Sequence, residues 1–312
     1  MATIETDGLT KEFGDLTAVS DLDLTVAEGE VFGFLGPNGA GKSTTINLLL
    51  DFIRPTAGSV SVFGMDAQAR SAAVRQRVGV LPEGYGFDDP LTGREYVEWA
   101  IETKAADDDP DAQLELVGLG GDGDRLAADY SKGMQQRLAF AMALVGDPDL
   151  LLLDEPSTGL DPNGIQNMRE IVREQAADGT TVFFSSHHLS EVQAVCDRVG
   201  VMDDGELVAV DTIEGLADAA GGHATIRLEC AEPGAVDLGG VDGVVGTSVD
   251  GRTLSVECAD PSVKAAVVAT AVEQTAVTDV VSETASLEEL FHELTRGGRD
   301  ETDATAAGEV AQ

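Results

Sequence analysis

Two short segments of this 312-residue chain hold side chains whose types and spacing suit phosphate chemistry. The first, Gly36-Pro37-Asn38-Gly39-Ala40-Gly41-Lys42-Ser43-Thr44, has a glycine, four free positions and then Gly-Lys-Ser. Glycines let backbone N–H groups turn inward around phosphate oxygens, and a helix opening at the lysine presents its positive end to the anion. Lys42 is then placed for the β- and γ-phosphates of a nucleotide, and Ser43 for a magnesium ion. In the second segment, Asp154 and Glu155 end the apolar run Leu150 to Leu153, so two carboxylates stand at one end of a buried strand. One of them suits magnesium, and its neighbour suits orienting and deprotonating an attacking water.

The elements around these segments are those that could hold them. Val31 to Leu35 is continuously apolar, as in a strand covered on both faces, and it runs into the glycine-rich turn; Lys42 to Asp51 then reads as a helix. Strand, tight turn and helix make half of a βαβ unit. Val78 to Leu81, Leu150 to Leu153 and Thr180 to Ser185 are further buried strands, and 3–9 and 18–26 read as strands bounded by turns. Leu91 to Ala100, Ala112 to Val117, Lys132 to Val145, Gly164 to Ala177 and Leu189 to Cys196 read as helices. This alternation implies a mostly parallel sheet with helices on both faces. Composition shifts at Ala219-Ala220-Gly221-Gly222. Beyond lie strands 224–230, 244–249 and 252–258, the last two joined at Asp250-Gly251, then a helix from Pro261 to Gln274 and a strand from Val277 to Val281. Ser286 with Glu289 forms a capping box for a helix to Thr295. The expected organisation is an α/β domain over 1–221, a small α+β domain over 222–296, and a disordered acidic tail over 297–312.

Composition excludes several classes of function. The chain has 57 acidic and 19 basic residues, a net charge of −38, and the basic ones are 5 lysines against 14 arginines. A nucleic-acid partner would require a basic footprint, so none is expected. Hydrophobic residues make up 43%, enough for a core. A pervasive acidic surface poor in lysine predicts a halophilic protein, because salt near 1 M shrinks the Debye length to about 3 Å and screens self-repulsion. The first residues include an early acid and lead into no apolar stretch, and no window reaches 18 apolar residues, so neither a secretory signal nor a membrane span is expected. Cys196, Cys230 and Cys258 have no metal-ligand spacing and are expected to be buried thiols.

Further motifs carry a resemblance. Tyr130-Ser131-Lys132-Gly133-Met134-Gln135-Gln136-Arg137 precedes the acidic strand, Thr158-Gly159-Leu160-Asp161 follows it, and Ser185-Ser186-His187 ends the next strand. With Phe13 ahead of Gly14-Asp15, these stand in the order found in the ATP-binding subunit of an ABC transporter, which residues 3–215 resemble. The resemblance implies a P-loop NTPase fold with a helical subdomain over about 84–146, and a cofactor set of ATP and Mg2+. It implies Phe13 stacking on adenine, Asp154 and Ser43 on magnesium, Glu155 as general base and His187 at the γ-phosphate, with His188 as the competitor for that last role. Ser131, Lys132, Gly133 and Met134 would be the signature that contacts ATP held by a partner subunit, and Asp161 would belong to the D-loop.

Two departures are informative. Glu83, in Leu81-Pro82-Glu83, stands where the family's Q-loop usually has glutamine, and the signature has Tyr130, Lys132 and Met134 where Leu, Gly and Gln are usual. Both features, with the motif from Ser286 to Leu294, resemble the drug-resistance, antibiotic and sodium exporter branch. The implied partners are an integral-membrane permease, docked through Gly84 to Ala100, and a second ATP-binding subunit in a homodimer. The implied location is the cytoplasmic face of the membrane. An importer ATPase and a soluble ABC ATPase remain alternatives. His223 and His292 match no motif and are expected to be structural or at the surface.

Overall fold

The computed structural model describes residues 1–219, 224–259 and 262–283. The chain divides into two compact units, Met1–Val210 and the part from Asp211 onward. That division falls ahead of the glycine-rich stretch at which the composition changes.

The first unit begins with a hairpin of β1 (Ala2–Phe13) and β2 (Leu16–Ala27), turned at Gly14-Asp15. After β3 (Val31–Leu35) and α1 (Lys42–Leu49), the strands β4 (Ala57–Val62) and β5 (Met65–Asp66) complete an antiparallel sheet of order β2-β1-β4-β5. Then follow α2 (Ser71–Gln76), β6 (Val78–Leu81), α3 (Gly93–Lys104), α4 (Pro110–Leu116), α5 (Lys132–Leu144) and β7 (Leu150–Asp154). The unit continues through α6 (Pro162–Ala177), β8 (Thr181–Ser186), α7 (Leu189–Val195), β9 (Arg198–Asp203) and β10 (Glu206–Thr212). The second sheet has the order β10-β9-β3-β8-β7-β6, with β9, β3, β8, β7 and β6 paired in parallel. The mostly parallel sheet inferred from the alternation of runs is therefore present. β4, β5, β9 and β10 have no counterpart in the sequence reading.

The core of this unit lies on β3, β7 and β8, whose residues are buried throughout. Phe34 and Phe183 meet with ring centroids 5.0 Å apart. The register decides where chemistry can occur: Phe34 pairs with Ser185, Leu35 with Ser186, and Asp154 with Ser185. Apolar residues fill the sheet, and β7 and β8 finish on polar residues, Asp154 and Ser186, at the edge where β3 runs into the glycine-rich turn and where open α/β folds bind ligands.

Helix starts differ from the sequence reading for local reasons. α3 begins at Gly93, not Leu91, because Thr92 caps it: the Thr92 side chain accepts from the Glu95 backbone and the Glu95 side chain accepts from the Thr92 backbone. α4 and α6 each open on a proline, Pro110 and Pro162, behind an aspartate cap, Asp109 and Asp161, so both start two residues before the apolar pattern does. α3 also runs on to Lys104, whose ammonium donates to the backbone oxygens of Arg75 (2.8 Å) and Val78 (2.6 Å). Burial lowers the Lys104 pKa, and the contacts tie the end of α3 to the junction of α2 and β6.

The second unit contains α8 (Ile213–Ala219), β11 (Ala224–Cys230), β12 (Val244–Asp250), β13 (Thr253–Cys258), α9 (Val263–Gln274) and β14 (Val277–Glu283). Its antiparallel sheet has the order β12-β13-β11-β14. The expected hairpin closes with Asp250 paired to Thr253 and Gly251 at φ 58°, a backbone setting that suits glycine. Ile226, Leu228, Leu254, Val256 and Val267 form its small core. Cys230 and Cys258 are buried here and Cys196 half-buried in the first unit; all three are free, and burial raises the pKa of each thiol. The capping box at Ser286, the helix to Thr295, the tail from 297, His223 and His292 lie outside the described residues. Among those described, no helix is long and apolar enough to cross a membrane.

Candidate functional site

The glycine-rich turn leaves β3 and enters α1 as its pattern requires. Gly39 (φ 87°) and Gly41 (φ 103°) are left-handed, and Gly41 occupies the position before the helix. A side chain at Gly36 or Gly41 would collide with the backbone oxygens of Met202 and Ala18, so the close approach requires glycine as well. Lys42 is 6% exposed, and its ammonium curls back over the turn to donate to the Gly36 oxygen at 2.7 Å and the Pro37 oxygen at 3.2 Å.

Glu155 is 4% exposed and joins the other parts of the site. Its Oε1 lies 3.3 Å from Lys42 Nζ, and its Oε2 lies 2.8 Å from His187 Nδ1. Oε1 is buried without a hydrogen bond, so the lysine meets it as a charge and not as an aligned donor. A lysine, a carboxylate and an imidazole thus form one chain, able to take a proton from water and to hold an anion. His188 instead donates its backbone N–H to Ser186 Oγ (3.0 Å), and its ring packs 3.8 Å from that of His187. Ser186 Oγ in turn donates to Glu191 Oε2 at 2.8 Å, which pins the turn bearing His187.

A cleft of about 490 Å³ opens above the turn. Lys42, Ser43, Thr44, Asn38 and Gly39 form its floor, and Glu155, Glu83 and Phe13 contribute from other parts of the chain. Phe13 is 48% exposed at the tip of the β1–β2 hairpin, with Lys11 Nζ 4.8 Å from its ring centroid. Sequence reasoning missed four lining residues: Leu16, Thr17, Ala18 and Asp204. The first three follow the Phe13 turn, so an aromatic placed at the cleft implied that the next strand passes it; nothing in the sequence signalled Asp204. Asp154 is buried at the end of β7, where its Oδ1 accepts from Ser185 Oγ.

Ser131, Lys132, Gly133, Met134 and Asp161 do not line this cleft. They gather elsewhere, against one another. Ser131 caps α5 by accepting from the Met134 backbone at 3.3 Å, and Asp161 caps α6 by accepting from Gly164 at 2.9 Å. A Cβ on Gly133 would lie 2.7 Å from the Gly159 oxygen, so the two motifs touch through bare backbone. Gln136 Nε2 donates to the Pro156 oxygen at 3.1 Å, binding α5 to the turn after Glu155. Tyr130 lies just ahead of this helix, and its hydroxyl donates to the Asp122 oxygen at 2.7 Å. Burial, aided by the Asp122 charge, raises the pKa of that phenol.

Comparison with known proteins bears directly on this arrangement. The model of the ABC transporter family matches residues 19–158. The daunorubicin resistance ATP-binding protein of Streptomyces coeruleorubidus is 36% identical over 306 residues, 95% of this chain and 96% of that protein. The bacitracin transport ATP-binding protein of Enterococcus faecalis is 40% identical over 208 residues, 66% and 68% of the two chains. Among solved structures, the ATP-binding subunit of an ABC transporter superposes with a TM-score of 0.65 at 26% identity, covering 70% of this chain and 92% of that one.

Proposed function

Since the chain belongs to the ABC transporter family, and so has the ABC ATPase fold and hydrolyses ATP, we propose that it is the energising subunit of an exporter whose permease is a separate integral-membrane protein. The observation that carries the catalytic part is the chain of contacts Lys42–Glu155–His187, in which buried Lys42 and Glu155 line the cleft and half-buried His187 bonds Glu155 from beside it. Lys42 leaves the Gly36 and Pro37 oxygens for the β- and γ-phosphates, the N–H groups of Gly39 to Thr44 cradle them, and Phe13 stacks on the base. Glu155 accepts the proton of the attacking water, and His187 orients that water and the γ-phosphate.

The residues present fit magnesium. Ser43 lies on the cleft floor, Asp154 stands at the sheet edge, and both offer the hard oxygen donors this ion prefers. Among the described residues no group of three or more His, Cys, Asp or Glu could hold a metal alone. When bound, the ion would neutralise charge on the β- and γ-phosphates. Glu83 lines the cleft as an additional carboxylate on that side.

Ser131, Lys132, Gly133 and Met134 lie off the cleft of their own chain, which supports a homodimer in which each copy's α5 N-terminus meets ATP bound by the other. The permease would hold this dimer at the cytoplasmic face of the membrane, with Gly84 to Ala100 as its contact; Tyr85 and Trp99 are 38% and 53% exposed there. The names of the two relatives, a resistance protein and a transport protein, support an exporter. Co-reconstitution with the membrane protein encoded beside it is the test. A several-fold rise in ATP turnover and outward movement of its cargo are expected, whereas turnover indifferent to every such partner would overturn the transport reading.

We further infer a halophilic origin from the −38 charge and the scarcity of lysine. Unfolding temperature and ATPase rate are expected to rise steeply between low and molar potassium chloride. Full activity and stability at about 0.05 M salt, where the Debye length exceeds 10 Å, would contradict it.

A further inference from the structure

We propose that Ser185 is a positioning residue for ATP hydrolysis, setting Asp154 directly and Glu155 through its backbone. The inference rests on the roles proposed above for those two carboxylates. Ser185 follows Thr181-Val182-Phe183-Phe184 in β8 and is 0% exposed. A hydroxyl in so dry a place must be bonded, and it offers one donor and two acceptor sites. Its proton goes to Asp154 Oδ1 at 2.5 Å. Its lone pair accepts from the Glu155 N–H at 3.2 Å, and the Ser185 carbonyl accepts from the same N–H at 3.2 Å.

Glu155 needs that anchor. Its φ is +49°, a left-handed setting that a side chain as long as glutamate seldom adopts unless its surroundings impose it. The strand reverses sharply there, and this reversal sends the Glu155 carboxylate toward Lys42 and His187 instead of onward along β7. With Oδ1 of Asp154 occupied by the serine, its other oxygen remains for a cation. The parallel register, Asp154 opposite Ser185, makes the contact possible, and a shift of one residue would turn the hydroxyl to the other face of the sheet.

The experiment compares Ser185→Ala, Ser185→Thr and Ser185→Cys with the unmodified protein. Affinity for a fluorescent ATP analogue is measured in magnesium and in EDTA, alongside kcat, KM and thermal unfolding. In Ser185→Ala the gain in affinity conferred by magnesium is expected to shrink about tenfold and kcat to fall about 10- to 100-fold, the range seen when a ligand's hydrogen-bond partner is removed. Affinity in EDTA should stay within about twofold. Ser185→Thr keeps the donor and should restore both quantities. Ser185→Cys matches serine in shape but donates weakly, so it should behave as alanine does and decides the matter if the alanine variant does not fold. The proposal is overturned if Ser185→Ala or Ser185→Cys keeps the magnesium gain and kcat, or if affinity in EDTA falls in step with kcat and threonine rescues neither. An unmodified protein that binds ATP equally in magnesium and EDTA would instead overturn the underlying assignment of Asp154, which separates the two failures.

Discussion

Glu155→Gln is expected to lower steady-state ATP turnover at least 100-fold while leaving ATP binding intact, because removal of a general base forfeits about 10²- to 10⁴-fold. The amide has the size of the carboxylate and can still bond to His187, so the fold and the cleft persist. What it lacks is a place for the proton of water. ATP that binds and is not consumed should also hold two copies together. Gel filtration with ATP is therefore expected to show a dimer for the variant, and phosphate release should be near background. A rate within twofold of the unmodified enzyme would remove Glu155 from the mechanism.

Lys42→Ala should have the second largest effect, and for two separable reasons. Lys42 and Glu155 are 6% and 5% exposed side chains 3.3 Å apart, so removing the ammonium leaves Oε1 of a nearly buried carboxylate without its counter-charge. Breaking a buried pair from one side costs about 3–5 kcal/mol, which urea unfolding of the nucleotide-free protein should register. ATP affinity is expected to fall by about 30-fold or more, because truncating one partner of a buried charge contact costs at least about 2 kcal/mol. Adding Glu155→Gln to Lys42→Ala removes the stranded charge. The double variant should regain much of the lost stability and none of the lost affinity. If the two losses are additive in the double variant, the pair is not coupled as the geometry requires.

The site was more legible in the sequence than the fold around it, and the reason is local. The glycine-rich turn and the acidic strand end each occupy a few consecutive residues, so the chemistry they suit is visible without tertiary information, whereas the signature was read only through its resemblance to a family. Buried strands such as Val31–Leu35 and the run Leu150 to Leu153 were equally plain, since both faces are covered and the run is wholly apolar. Residues 57–62 hid their strand: Ala-Gly-Ser-Val-Ser-Val buries Val60 and Val62 only because β1 supplies the partner, Thr6 opposite Val60 and Ile4 opposite Val62. Ser185 was hidden for a related reason, since it reads as one polar residue in a match to a motif. Its hydroxyl acquires meaning from Asp154, thirty-one positions away in sequence and adjacent in the sheet.

The contacts of α5 have a consequence for timing. Gln136, about one turn into that helix, holds the backbone just after Glu155, while Ser131 to Met134 at its tip do not line the cleft of their own chain. If two copies assemble as proposed, the turn that would carry the base at one ATP and the tip that would touch the other ATP are joined within one chain by this contact. A change in backbone setting at Glu155 on hydrolysis would reach the second nucleotide through that contact with no intervening relay. The two sites would then fire in dependence on each other, like two pistons on one crank.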